Sequence, residues 1–105
     1  MRFEHTELAI HFWKHRADFA AVTEAEYERA AARFLRSRKR PNLLECSRIG
    51  GDLVRYDTAT EEFAVLSSGG ITRTYFKPVP CVVRAVRFCH GEPDNVQYFQ
   101  KACKL

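Results

Sequence analysis

Residues 43–77 read LLECSRIGGDLVRYDTATEEFAVLSSGGITRTYFK, four β-prone runs with only turns between them. Leu43–Ile49, Asp52–Asp57, Glu62–Leu66 and Ile71–Lys77 carry the β-branched, aromatic and leucine side chains, and Gly50-Gly51, Thr58–Glu61 and Ser67–Gly70 separate them. Connections this short join only antiparallel neighbours, because a parallel pair needs a crossover of a dozen or more residues. The stretch predicts an antiparallel meander. A further run, Cys81–Phe88, follows Pro78 and Pro80. Proline has no amide for a central ladder, so this run is expected as an edge strand or a separate excursion.

Upstream the apolar period changes from 2 to 3.6. Leu8, Phe12, His15 and Phe19 stand at i, i+4, i+7 and i+11, which predicts a helix over 4–20. Val22-Thr23-Glu24-Ala25-Glu26-Tyr27 is a helix start. Thr23 caps the Glu26 amide, Glu26 reaches back to the Thr23 amide, and Val22 and Tyr27 hold the N′ and N4 positions of a hydrophobic staple. This second helix is predicted to run to about Arg36, with Tyr27, Ala31, Phe34 and Leu35 inward and its arginines outward. The basic loop Ser37-Arg38-Lys39-Arg40-Pro41-Asn42 follows. After the strands, Pro93 suits the start of a short helix over Asp94–Ala102, with Val96 and Phe99 as its apolar contacts. No repeat, low-complexity tract or linker divides residues 1–105, so a single domain is expected. Its class is α+β: two N-terminal helices packed on one face of a four- to five-stranded antiparallel meander, with a short C-terminal helix.

An apolar fraction of 46% over 105 residues excludes disorder throughout. No run approaches the roughly 18 apolar residues of a membrane span, and the charged N-terminus lacks the apolar core of a signal peptide. A soluble domain without stable membrane insertion is expected. Seventeen Lys+Arg oppose 13 Asp+Glu, a net charge of +4, and twelve of the cations are Arg. Arg suits bidentate phosphate contacts and base stacking, so an anionic polymer is the expected partner. Cys46, Cys81, Cys89 and Cys103 form no C-x-x-C pair, and Cys89-His90 has no partner at zinc-ligand spacing. Cys46 and Cys81 sit in apolar runs, where reduced thiols behaving as small hydrophobes are expected. Spacing does not decide whether any two of them pair.

Chemistry concentrates first on the opening helix. His11, Lys14 and His15 lie within about one turn, and His11 and His15 share a face at i, i+4. His15 also occupies the apolar stripe. Burial and neighbouring positive charge both lower an imidazole's pKa and keep it neutral, the state of a general base. The plain alternative is a core histidine satisfied by backbone groups. Metal binding by the pair is disfavoured: His11-Phe12-Trp13-Lys14-His15 lacks the glutamate of H-E-x-x-H and places a cation between the ligands. No metal and no cofactor are expected. The second constellation is on the strands, where Arg55 falls in Asp52–Asp57 and Ile71-Thr72-Arg73-Thr74-Tyr75-Phe76-Lys77-Pro78 follows a Gly-Gly turn. A two-residue period puts Thr72, Thr74 and Phe76 on one face and Arg73, Tyr75 and Lys77 on the other. Hydroxyls beside a ring can hold a phosphate and a stacked base, and Arg73, Tyr75 and Lys77 can line a polyanion groove. A plain strand with a solvated outer face is the simpler explanation of the same pattern. Further on, His90-Gly91 is followed by Asn95, Tyr98 and Lys101, most of which a capping Asp94 and a packed Tyr98 explain.

The chain has no acidic cluster at two-metal spacing, no P-loop, no G-x-S-x-G and no dinucleotide fingerprint. A neutral His, cationic side chains, strand hydroxyls and an Arg-rich surface are the parts of metal-free phosphodiester transfer in RNA. One group takes the ribose 2′-OH proton, cations stabilise the phosphoryl oxygens, and another group protonates the 5′ leaving oxygen.

Three strings carry a resemblance: His11-Phe12-Trp13-Lys14-His15 with Asp18-Phe19; Val54-Arg55-Tyr56-Asp57 with Glu62-Phe63-Ala64-Val65; and Gly70–Pro78. Over about residues 4–100 the chain resembles the C-terminal toxin domains of bacterial polymorphic and contact-dependent inhibition systems. More broadly it resembles the barnase–EndoU–colicin–RelE group of metal-independent ribonucleases. The resemblance implies helices before a four-stranded antiparallel sheet. It also implies an endoribonuclease toxin, expected to cut tRNA by 2′-OH attack to a 2′,3′-cyclic phosphate. Carried over by position, the catalytic residues are His15 with His11 assisting, Arg55 or Lys77, Thr74 before Phe76, and Tyr98. No second catalytic histidine is matched, His90 lying in a Gly- and Pro-bearing segment. Lys14, Arg73, Tyr75, Arg38, Lys39 and Arg40 are the expected RNA-binding side chains. A cognate immunity protein is the implied partner, and the target-cell cytoplasm is the implied place of action after delivery as the C-terminal part of a secreted or surface effector. The rival expectation is a non-catalytic RNA- or protein-binding module of a phage or mobile element, which shares the basic surface and needs no neutral histidine. An immunity or antitoxin protein is disfavoured by the +4 balance.

Overall fold

Turn chemistry and strand register set the architecture of the computed structural model, which describes residues 1–105. Strands β1 (Leu43–Ser47), β2 (Leu53–Asp57), β3 (Phe63–Leu66) and β4 (Thr72–Phe76) lie in the order β1-β2-β3-β4, every neighbouring pair antiparallel. At the β1–β2 turn Gly51 takes φ +96°, a left-handed conformation that favours glycine, and donates its amide to the Arg48 carbonyl. The β2–β3 turn is organised by the buried Asp57, whose Oδ1 accepts the amides of Ala59 (2.7 Å) and Thr60 (3.1 Å).

Register decides which side chains meet. Glu45, Arg55, Ala64 and Tyr75 form one cross-strand row; Leu44, Tyr56, Phe63 and Phe76 form the next, facing the other way. The pairing slips beside Leu66, so that Leu66 faces Thr72 while Val65 faces Thr74, leaving Arg73 as the extra residue of a bulge. Thr72 and Thr74 therefore fall on opposite faces, which corrects the simple two-residue alternation over 72–77.

Helices α1 (His5–His15) and α2 (Glu24–Arg36) cover the face bearing Ala64 and Tyr75. Phe3, Phe12, Tyr27, Ala31, Phe34, Leu35 and Leu43 close this core with them. The α1 segment is shorter than its apolar stripe: the backbone tightens into a 3-10 turn over Arg16–Asp18 and reverses at Ala20, which has φ +51°. The capping box at Thr23 and Glu26 is present in both directions. The staple is not made, because Val22 remains 76% exposed.

Helix α3 (Asn95–Ala102) is capped by Asp94, which accepts the Gln97 amide at 2.8 Å. It packs Phe99 and Ala102 on Val54, Tyr56, Phe63 and Val65. That is the opposite face of the sheet from α1 and α2, so the helices flank the meander on both sides and do not share one face. Val96 points outward. No helix is long and apolar enough to cross a membrane.

The cysteines are not free thiols. Cys46 of β1 is bonded to Cys103 just after α3, and Cys81 to Cys89. The second bond closes residues 81–89 into a non-strand strap, so of the two expectations for this run the separate excursion is the one found and the sheet stops at four strands. Pro78 and Pro80 precede it, and its base is a single bridge between Pro80 and His90.

Candidate active site

His15 ends α1 and reaches the open edge of β4. Its ring stacks on Phe76 with centroids 4.9 Å apart and planes at 24°, and meets Phe88 of the strap edge-on at 6.1 Å. The nearest carboxylate oxygen, Asp18 Oδ2, stands 4.0 Å from Nδ1. Burial, assisted by the charges of His11 and Lys14, lowers the pKa of His15 to about 4. At neutral pH the ring is an unprotonated acceptor.

Around it lies a cleft of about 260 Å³, lined by Lys14, Asp18, Phe76, Lys77, Arg84, Arg87 and Phe88 among others. Three elements supply the cations: α1 gives Lys14, the end of β4 gives Lys77, and the strap gives Arg84 and Arg87. None of the four is in an ion pair. Asp18 is occupied differently, its Oδ2 accepting the Lys77 backbone amide at 3.1 Å, which fixes the chain where β4 leaves the sheet. Lys14 Nζ lies 5.4 Å from the Phe88 ring centroid and ties α1 to the strap, and within the strap the Arg87 guanidinium lies at the same distance from that ring.

His11 stands behind His15, 6.0 Å between ring centroids, with Phe3 at 5.3 Å on its other side. Its Nε2 is 3.5 Å from Glu7 and its Nδ1 is buried without a partner. Burial, opposed by the Glu7 carboxylate and assisted by Lys14, lowers its pKa too. His11 does not line the cleft and meets it only through its contact with the His15 ring.

Thr74 and Tyr98 lie across Phe76 in a second cleft, with His90, Arg48 and Lys101. His90 is fully engaged: its Nδ1 accepts the Glu92 amide at 3.2 Å, so Nε2 carries the hydrogen and donates to Asn95 Oδ1 at 2.8 Å. Asn95 in turn donates to the Pro78 carbonyl at 2.9 Å. That chain of bonds ties the strap's base to α3 and leaves His90 no free nitrogen for proton transfer.

Other predicted site residues lie elsewhere. Arg55 is buried on the α1–α2 side, where Nε donates to Glu45 (2.6 Å) and Nη1 to the carbonyls of Phe34 (3.2 Å) and Ser37 (2.8 Å). It closes the C-terminal end of α2, where cations are favoured, and faces neither cleft. Tyr75 is 1% exposed, accepts the Tyr27 hydroxyl on its carbonyl and donates its own hydroxyl to Glu62, so no substrate reaches it. The Arg73 guanidinium, thrown outward by the bulge, donates to Asp52 at 3.0 Å. In the basic loop Arg40 donates to Asp57 (2.8 Å) and Lys39 pairs with Glu45 (3.4 Å), while Arg38 is exposed; none of the three lines either cleft.

The strap cations Arg84 and Arg87 have no counterpart among the residues singled out in the sequence. Their signal was Cys81 and Cys89 bracketing Val-Val-Arg-Ala-Val-Arg-Phe, a closed loop once the cysteines are paired. No group of three or more His, Cys, Asp or Glu side chains is placed to hold a metal ion.

Among solved structures, the chain is similar to a ribonuclease from Escherichia coli complexed with its inhibitor protein. The TM-score is 0.59 at 16% identity, covering 93% of this chain and 99% of that one, a likeness of fold. No family model and no curated protein matches the sequence.

Proposed function

We propose that the chain is a metal-independent endoribonuclease toxin whose reaction is carried by the His15 cleft. One observation supports this above the others: an unprotonated imidazole opens into a cleft with four cations, none of them ion-paired, against the single carboxylate of Asp18. RNA supplies what that arrangement lacks, a polyanion and an internal hydroxyl. His15 accepts the 2′-OH proton as the 2′-oxygen bonds to phosphorus. Lys14, Arg84 and Arg87 stabilise the charge gathering on the phosphoryl oxygens. The bond to the 5′-oxygen breaks, and that oxygen takes a proton from the Lys77 ammonium, which regains one from solvent as His15 releases its own. The products are a 2′,3′-cyclic phosphate and a 5′-hydroxyl; DNA, with no 2′-OH, is spared. A phosphate entering the cleft opposes the cations that depress His15, so the ring becomes a stronger base once substrate is bound.

Fold likeness to a ribonuclease held by an inhibitor protein supports the same reading and a cognate immunity protein as partner; the unpaired cations make the cleft the surface for such a partner to cover. A tRNA substrate, and action in a target-cell cytoplasm after delivery on a larger effector, follow from the resemblance to contact-dependent inhibition toxins. Two disulfides suit a chain that passes through an oxidising compartment on the way. The test is incubation of the purified protein with total RNA in EDTA. Fragments ending in 2′,3′-cyclic phosphate, abolished by His15→Ala, are expected. Binding of RNA without turnover, with or without added protein or tRNA cofactors, would overturn the proposal in favour of a binding module.

A further inference from the structure

We infer that the second cleft, across Phe76 from His15, is a nucleobase subsite that holds the nucleoside next to the scissile phosphate. This deepens the ribonuclease reading and rests on it for the word scissile. The cleft has a volume of about 350 Å³, within the range of small-ligand pockets. Its walls are aromatic: Phe63 and Phe76 both meet Tyr98 edge-on, at 5.1 Å and 6.1 Å. His90 stacks on Tyr98 with centroids 4.3 Å apart, so a planar base entering the cleft stacks on the aromatic surface that His90 and His15 leave uncovered. Phe76 belongs to both clefts, carrying His15 on its ring while lining this one. A base bound here therefore lies one side chain away from the imidazole.

Arg48 lacks an acceptor in this cleft. The Arg48 side chain is only 16% exposed, its Nε is buried with no partner, and its nearest carboxylate oxygen, on Asp52, is 3.6 Å away. A largely buried guanidinium whose Nε has no acceptor leaves a desolvated donor unpaired, and a base that brings a carbonyl oxygen against it, with a small shift of the side chain, satisfies it. Thr74 and Tyr98 add hydroxyls to the same cleft, and Lys101, paired with Glu92 at 3.0 Å, adds a cation. The contrast with the first cleft is chemical: that one is ringed by cations and suits the phosphate, whereas this one is ringed by aromatics and suits the base.

Titration with 3′-UMP, 3′-AMP and inorganic phosphate, followed by the ring resonances of Tyr98, His90 and His15, tests the assignment without any RNA cleavage. At least one nucleotide is expected to move Tyr98 and His90 saturably, while phosphate moves His15 alone. Arg48→Ala is expected to weaken nucleotide binding at least tenfold and to leave the phosphate response intact. The exposed Lys101→Glu change should weaken it in the same direction with no threat to the fold. Nucleotides that move only what phosphate moves, or Tyr98 shifts indifferent to both substitutions, would overturn the subsite. A chain that cuts RNA but fails this titration loses the subsite alone; one that passes it but cuts no RNA loses the catalytic reading alone.

Discussion

Protonating an imidazole buried against Phe76, with His11 and Lys14 beside it, costs free energy that appears in folding stability. In the folded chain His15 titrates near 4, below its ordinary 6.5, so between those values the unfolded chain holds a proton that the folded chain refuses. Stability is then full above pH 6.5 and falls as pH drops through this window. His11 is depressed in the same direction and adds to the slope. Glu45 and Asp57 do not confuse the measurement. Burial raises both carboxyls, but Arg55 and Lys39 on one, and the Thr60 and Ala59 amides with Arg40 on the other, hold them below their usual range. Their contribution starts to fall only as pH approaches their ordinary values of 4.5 and 3.8, below the range measured. Urea midpoints should therefore decline from pH 7 to pH 5, and His15→Phe should flatten the decline; a wild type with no slope there would refute the burial argument. Arg55 makes the opposite kind of prediction. Arg55→Ala leaves Glu45 without its main partner and uncaps the carbonyls ending α2, which should cost about 3 kcal/mol by chemical denaturation. RNA cleavage per folded molecule should stay unchanged, because the guanidinium faces neither cleft.

The strap and α3 are held by disulfides with different work to do. Cys46–Cys103 spans a sequence separation of 57 and pins the end of α3 to β1, whereas Cys81–Cys89 closes a loop of separation 8. Constraining the unfolded chain over the longer span is worth up to about 4 kcal/mol. Cys46→Ala/Cys103→Ala should lower stability by that order and loosen Phe99 and Ala102 from the sheet, visible as lost amide protection in α3. Residues 82–88 are all exposed and join neither core, so Cys81→Ser/Cys89→Ser should leave both cores packed. Its effect belongs to the site: freed from the ring, Arg84, Arg87 and Phe88 leave His15, and cleavage should fall tenfold or more while the near-ultraviolet circular dichroism persists. Retained activity would show that the strap cations are spectators. These elements also mark where sequence reading stops. The Thr23 capping box and the meander were legible because each is decided by a few adjacent residues. The bulge at Arg73, the face chosen by Arg55 and the cysteine pairs were not. Each depends on what packs from a distance: α2 must be in place before Arg55 has carbonyls to meet, and α3 must cross the sheet before Cys103 can find Cys46. The His15 half of the site was legible because one helix carries it; the strap half waited on the disulfide.

At the scale of the whole molecule, a net charge of +4 says little until its neutralised part is removed. Arg40, Lys39, Arg55, Arg73 and Lys101 are all matched to carboxylates, so they contribute little field at a distance. Among the cations that no carboxylate pairs, Lys14, Lys77, Arg84 and Arg87 share one cleft, and within a screening length of about 8 Å at physiological salt they act together on any phosphate that enters, whereas Arg2, Arg16, Arg29, Arg33, Arg36, Arg38 and Lys104 lie outside it. Counterion release turns this into a number. Each phosphate neutralised on a single strand contributes about −0.7 to the slope of log K against log salt, so four contacts predict about −3. The measurement needs RNA that binds and is not cut, which 2′-O-methyl RNA provides because its 2′-oxygen has no proton for His15 to take. Lys77→Ala/Arg84→Ala should reduce the slope to about −1.5, two contacts having gone. Arg38→Ala/Arg73→Ala removes the same charge from the surface outside the cleft and should leave the slope near its original value. Were the two double variants to shift it equally, RNA would be following the net charge of the surface and not the cleft, and the cations around His15 would have no claim on the scissile phosphate.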